Sequence, residues 1–164
     1  MANSSIISKV KNIVIKDLIK DDSIITAIDS STVPKDKPEE LLYSHIFDYQ
    51  QNPNKLDSVS TYLTILVNVV DYYADNKAFS KIVLDIEIIS HYRHMRVDNV
   101  PKVNKNRNDY LSELIVEKFN NGDIGLGSLK QKANIEGSLK EDYLFRRITF
   151  ETTDLNKSFC DDED

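Results

Sequence analysis

The chain has 164 residues and a net charge of -6 with a pI near 5.1, enough length for one compact core but not two, and too acidic for non-specific wrapping of nucleic acid. Its 40% hydrophobic and 29% charged content excludes wholesale disorder. A single cysteine, Cys160, excludes an internal disulfide or thiolate metal cage, and the longest apolar run, LTILVNVV, is too short to span a bilayer.

The spacing predicts a helix through SSIISKVKNIVIKDLIK, where Ile6, Ile7, Val10, Ile13, Val14 and Leu18 fall on one stripe. Asn3, Ser4 or Ser5 offers a cap at its start, while Asp21, Asp22 and Ser23 close it and cap a short second helix, DSIITAI. SSTVPKDKPEE reads as a polar, proline-punctuated loop, HIFDY (45–49) as a short strand, and QQNPNKLDS as a loop with an Asn-Pro turn signal. TYLTILVNVVDYY alternates, with Leu63, Ile65, Val67 and Val69 on one face and Thr64, Asn68 and Tyr72 on the other. FSKIVLDIEII alternates as well, with Ile82, Leu84, Ile86 and Ile88 inward and Lys81, Asp85 and Glu87 outward as solubilising charges. The Asp-Asn signal in ADNKA then predicts a long antiparallel hairpin.

NRNDYLSELIVEKFNNGD returns to helical spacing, with Leu111, Leu114, Ile115 and Phe119 buried and Asn120, Asn121 and Gly122 as the stop. SLKQKANIEGSL and DYLFRRITFETT read as a further hairpin, in which Leu144, Arg146, Ile148 and Phe150 share one face and Tyr143, Phe145 and Arg147 the other. The order predicts an α+β fold: one antiparallel sheet with a long β-hairpin, packed against an N-terminal helix and a second helix near 107–120. A single domain over 1–156 and an acidic tail over 157–164 are expected.

The most chemically loaded stretch is SHYRHMRV, residues 90–97. His91 and His94 follow a strand whose period of two sends them to opposite faces unless the chain bends, and no HExxH, CxxC or matching His pair supplies further zinc ligands; nothing places His45 near them. No metal and no cofactor is therefore expected. GLG near residue 125 lacks the GxGxxG or GK[ST] pattern of a phosphate cradle and reads as a helix stop, no Gly-x-Ser-x-Gly elbow occurs, and no catalytic set is expected. His91, Arg93, His94, Arg96, Lys102, Lys105 and Arg107 form a local basic stretch on an acidic chain, a candidate interface for an acidic surface such as Glu39-Glu40 or the DDED end of another subunit.

Taken together, the amphipathic first helix, HIFDY, the hairpin ending in DIEIISHYRHMRV, the helix opening NRNDYLSELI and the closing LFRRITFETTDLN resemble the tail terminator and head-to-tail joining proteins of tailed bacteriophages, over roughly residues 5–156. The resemblance implies a small α+β subunit that closes into a homo-oligomeric, commonly hexameric, ring between the tail tube and the neck. It implies tail tube and neck or connector proteins as partners, genomic DNA passing through without specific binding, no membrane, and a place in the virion after assembly in the host cytoplasm. The DDED end and the linker VDNVPKVNKN match no family role. A second reading is a non-catalytic adaptor that uses an exposed sheet face, with Tyr62, Tyr72, Tyr73 and Tyr92 as recognition aromatics.

Overall fold

The computed structural model describes residues 2–52, 56, 58–71, 79–124 and 127–155. The apolar stripe of the first segment forms helix α1 (Ala2–Leu18), which starts ahead of Asn3, Ser4 and Ser5, so those residues sit in its first turn rather than capping it. Val10, Val14 and Leu18 are fully buried along its inner face. Helix α2 (Asp22–Ile28) covers the DSIITAI stretch. The Asp21 carboxylate caps it, accepting from the backbone N–H of Ser23 at 3.1 Å and of Ile24 at 3.2 Å. Asp29 ends it in the left-handed conformation at φ 54°, where a short polar side chain is tolerated.

A single 3-10 turn (Pro38–Leu41) leads to strand β1 (Ile46–Phe47), shorter than the HIFDY segment predicts. It lies parallel to strand β2 (Thr61–Asp71), with Ile46 opposite Leu63 and Phe47 opposite Thr64. The sheet is therefore mixed rather than wholly antiparallel. Strands that run in the same direction cannot be joined by a tight hairpin, and thirteen residues separate β1 from β2 in the sequence.

Strand β3 (Phe79–His91) pairs antiparallel with β2 from Thr61–Ser90 to Asp71–Ser80, the long hairpin that the alternation predicts. Its ADNKA connection and Tyr72 lie outside the described residues. Helix α3 (Arg107–Phe119) follows, capped by the Asn106 side chain, which accepts from the Asp109 N–H at 2.8 Å. It stops at Asn120, with Asn121 left-handed at φ 62°. Strands β4 (Lys130–Lys140) and β5 (Tyr143–Leu155) complete a sheet in the order β1-β2-β3-β5-β4.

Register places the core. Leu63 lies opposite Ile88, Ile65 opposite Ile86 and Val67 opposite Leu84, while Leu84 meets Phe150 and Ile86 meets Ile148 across the next pairing. All are buried on one face, under α1, α2 and α3, so the helices cover one side of the sheet. The other face carries a smaller cluster of Phe47, Leu56, Tyr62, Ile89 and Tyr143. The segment before β2 is tied across it: the Tyr143 hydroxyl donates to the Ser58 carbonyl at 2.7 Å and Lys140 donates to the Leu56 carbonyl at 2.6 Å.

That covering corrects the expectation for Glu87. Rather than a solubilising charge it is fully buried, accepting from Arg147 at 2.9 Å and from the Gln50 amide at 3.2 Å. A carboxylate on the lightly covered face survives burial because a guanidinium on the adjacent strand and an amide from the overlying chain meet it. Asp85, two residues earlier, stays half-buried and accepts from the Thr149 hydroxyl at 2.5 Å.

Candidate assembly surface and the polar network behind it

The SHYRHMRV stretch begins in the sheet and leaves it abruptly. His91 is the last residue of β3 and caps a 3-10 turn (Tyr92–His94), its Nδ1 accepting from the Arg93 N–H at 3.1 Å. The chain bends there, yet the two imidazoles do not converge. His91 is buried, stacked on Tyr92 at 4.8 Å and edge-on to Tyr143 at 5.1 Å. His94 turns the other way, its Nδ1 2.8 Å from the Thr61 hydroxyl and its Nε2 3.6 Å from Asp29. Among the described residues no three His, Cys, Asp or Glu side chains form a metal-ligating group.

The structure brings in a third imidazole that the sequence leaves unplaced. His45 Nδ1 lies 2.9 Å from the Thr61 carbonyl and its Nε2 2.8 Å from the Ser30 hydroxyl. The Thr61 carbonyl can only accept, so Nδ1 donates to it, while the Ser30 hydroxyl can serve Nε2 as donor or acceptor. Burial pushes the His45 imidazole below its ordinary range, against the backbone bond to Thr61. His94 is lowered too, first by burial and then by the neighbouring Arg107 charge, with Asp29 opposing. Thr61, bonded also to the Ser90 hydroxyl at 2.8 Å, joins the two histidines through one residue.

Arg107 is the hub of this network. It is 1% exposed, and its guanidinium donates to the carbonyls of Ala27 at 2.5 Å, His94 at 2.6 Å and Arg96 at 2.8 Å and to the Asp29 carboxylate at 3.2 Å. Its backbone N–H donates to the Met95 carbonyl at 2.7 Å. Arg107 thus locks the end of α2, the turn after β3 and the start of α3 to one another. Burial makes its charge harder to hold, and Asp29 offsets that.

The seven residues of the basic stretch therefore divide. Arg107 and His91 are buried and His94 is half-buried, so these three act inside the chain; for Arg107 in particular, this corrects its place on a docking surface. Arg93, Arg96, Lys102 and Lys105 are exposed. Arg93 donates to the Tyr92 hydroxyl at 2.8 Å, Arg96 pairs with Asp98 at 2.6 Å, and Lys105 pairs with Glu113 at 2.5 Å. Lys102 stands in the linker at φ 67°.

A second surface feature lies beside β1. Tyr43 and Tyr49, 59% and 47% exposed, stack with ring centroids 6.4 Å apart and planes 20° apart. The Tyr43 hydroxyl donates to the Asp48 carboxylate at 3.4 Å. Sequence reasoning passes over this pair because two tyrosines around a short strand show no periodicity. Of the aromatics proposed for an exposed sheet face, Tyr62 is buried in the smaller cluster, Tyr92 is exposed on the 3-10 turn, and Tyr72 and Tyr73 lie outside the described residues.

The family model YomW matches the chain over residues 11–152. No curated protein and no solved structure matches the chain.

Proposed function

Because the chain belongs to the phage-derived YomW family, we propose that it is a structural phage protein, a tail terminator that forms a ring at the top of the tail tube and joins it to the neck. The observation that carries this reading is a sheet open on both flanks. β4 has β5 on one side and, among the described residues, no strand on the other. At the far flank β1 pairs with β2 at Leu63 and Thr64, and among the described residues no strand pairs with the outer side of Ile65 to Asp71. β2 and β4 run in opposite directions, since three antiparallel pairings separate them. Two unlike edges on opposite sides of a subunit suit head-to-tail contacts, and such contacts generate rings when the rotation closes.

In this role the ring, a hexamer by the resemblance, is a homo-oligomer that meets tail tube protein below and connector protein above. It is assembled in the host cytoplasm and carried in the virion, with genomic DNA crossing its centre. The net charge of -6 suits a channel that DNA passes without sticking. The role asks for rigid positioning of surfaces and no catalytic group, and the Arg107 network supplies rigidity where the turn after β3 meets α3. The alternative, a non-catalytic adaptor, draws on the exposed Tyr43 and Tyr49 rings. Electron microscopy of the protein mixed with its tail tube protein separates the two: rings capping tube ends are expected, and bare tube ends beside free monomer would leave the adaptor.

A further inference from the structure

Between the start of α3 and the β4–β5 hairpin lies a cleft of about 350 Å³. Met95, Leu144 and Phe145, all half-buried, line it together with the polar residues Asn106, Asn108 and Glu136. Asn108 is 4% exposed, and its amide is only half satisfied. The Leu144 carbonyl can only accept, so the Asn108 amide nitrogen faces it at 3.4 Å, and among the described residues no donor meets Asn108 Oδ1. A leucine of similar size would leave no such acceptor behind. A lone buried acceptor on the wall of a cleft points to a donor from outside the chain.

The other polar groups of the cleft decide the kind of donor. Asn106 is used at both ends, its Oδ1 accepting from the Asp109 N–H at 2.8 Å and its Nδ2 donating to the Asp109 carboxylate at 2.6 Å. Glu136, on the exposed rim, accepts from Arg146 through Oε2 at 2.8 Å, which leaves Oε1 to accept from elsewhere. The cleft thus offers acceptors beside an apolar lining, and the matching group is one that only donates, carried on an aliphatic stem. A guanidinium suits it better than an ammonium, because a planar fork reaches two separate acceptors.

Two neighbouring clefts between α3 and β4 continue the charge pattern. Arg146, which bonds to Glu136 of the first, lines the second with Asp109 and Glu113, and the third is lined by Glu113, Glu117 and Gln131. Asp109, Glu113 and Glu117 recur every four residues and so stand on one side of the helix. With Glu136 they set four carboxylates against two cations, Lys105 and Arg146, across the three clefts. Among the described residues Glu117 has no ion pair. A groove of this balance favours a basic segment.

We propose that the cleft between Asn108 and Glu136 receives an arginine side chain of a partner protein, whose basic segment continues along the Asp109, Glu113 and Glu117 side of α3. The guanidinium donates to Asn108 Oδ1 and Glu136, and its stem lies against Met95 and Leu144. This contact goes beyond the ring reading and stands on the cleft alone.

The test titrates the isotope-labelled full chain with the peptide acetyl-Gly-Arg-Gly-Lys-Gly-amide, with its citrulline counterpart and with N-acetyl-arginine amide, following backbone amide signals. Saturable shifts at Met95, Gly137 and Leu144 are expected with the arginine peptide. The citrulline peptide should bind about tenfold more weakly, since a urea lacks the charge and brings an acceptor of its own. Asn108→Leu and Glu136→Gln should each weaken the arginine peptide about fivefold with thermal unfolding little changed. If Asn108→Leu fails to fold, Glu136→Gln on the exposed rim carries the comparison. No shift at millimolar peptide would overturn the site and leave Asn108 to a buried water. Equal binding of the citrulline peptide, or shifts confined to Glu113 and Glu117, would overturn the guanidinium assignment. N-acetyl-arginine amide binding as tightly as the peptide would mark a small-molecule site and overturn the partner segment.

Discussion

Arg107 and the two histidines near it show how single side chains hold this subunit in shape. Removing the guanidinium leaves the buried Ala27 carbonyl and the part-buried carbonyls of His94 and Arg96 without that donor, and takes the ion pair from the Asp29 carboxylate. Arg107→Ala should therefore cost about 3–5 kcal/mol in urea unfolding. Arg107→Lys should recover little of it, since one ammonium cannot span four acceptors. The histidines add a pH dependence with a definite sign. Both His45 and His94 sit below the ordinary imidazole value of 6.5 in the folded chain, so the unfolded chain takes up protons first on acidification. Their contribution is full above pH 6.5 and is lost as the pH falls toward the folded values. The urea midpoint should thus drop between pH 7.5 and 5.5, and His45→Asn with His94→Asn should flatten that slope. Asp21 acts lower: burial raises its carboxyl, but the bond from Lys118 and the N–H groups of Ile24 and Ser23 more than offset this, so its loss comes below pH 3.8.

The sequence could not distinguish Arg107 from its basic neighbours, because its burial depends on a carbonyl 80 residues away at the end of α2. Charge counting along the chain sees a stretch of cations; folding separates one that closes the interior from those that face solvent. His45 was illegible for the same reason, since its partners Ser30 and Thr61 come from two other parts of the chain.

Among the elements, those with a long regular period were legible and the shortest was not. Alternation over Leu63 to Val69 and Ile82 to Ile88 specifies both the strands and the face they bury, and the observed register, Ile65 opposite Ile86, follows from it. DSIITAI was legible because Asp21 is a chemically obvious cap. β1 has only two residues, too few to carry a period or to announce its parallel pairing with β2. The outward position of Glu87 failed for a related reason: strand period gives the face of a residue, while the chain laid over that face decides whether it meets water. β4 gives a further test at this scale. Gly137 lies opposite Phe145, and a Cβ there would stand 2.6 Å from the ring. The aromatic thus covers the edge glycine. Gly137→Ala should displace the Phe145 ring from the smaller cluster and lower stability by about 1–3 kcal/mol, read from the shift in urea midpoint.

At the scale of the molecule, the sequence reaches an α+β subunit with helices on one side of its sheet, and the fold adds the two open flanks on which the assembly reading depends. Neither flank is visible in a linear chain, because an edge is defined by the strand that is missing beside it. Beside the β1 flank the Tyr43–Tyr49 pair faces solvent. The most direct measurement is the mass in solution by light scattering over increasing protein concentration at low salt, repeated after adding tail tube protein. A closed oligomer of several subunits is predicted, formed by the chain alone or on the tube end; a mass that stays at one 18.8 kDa chain under both conditions would contradict it.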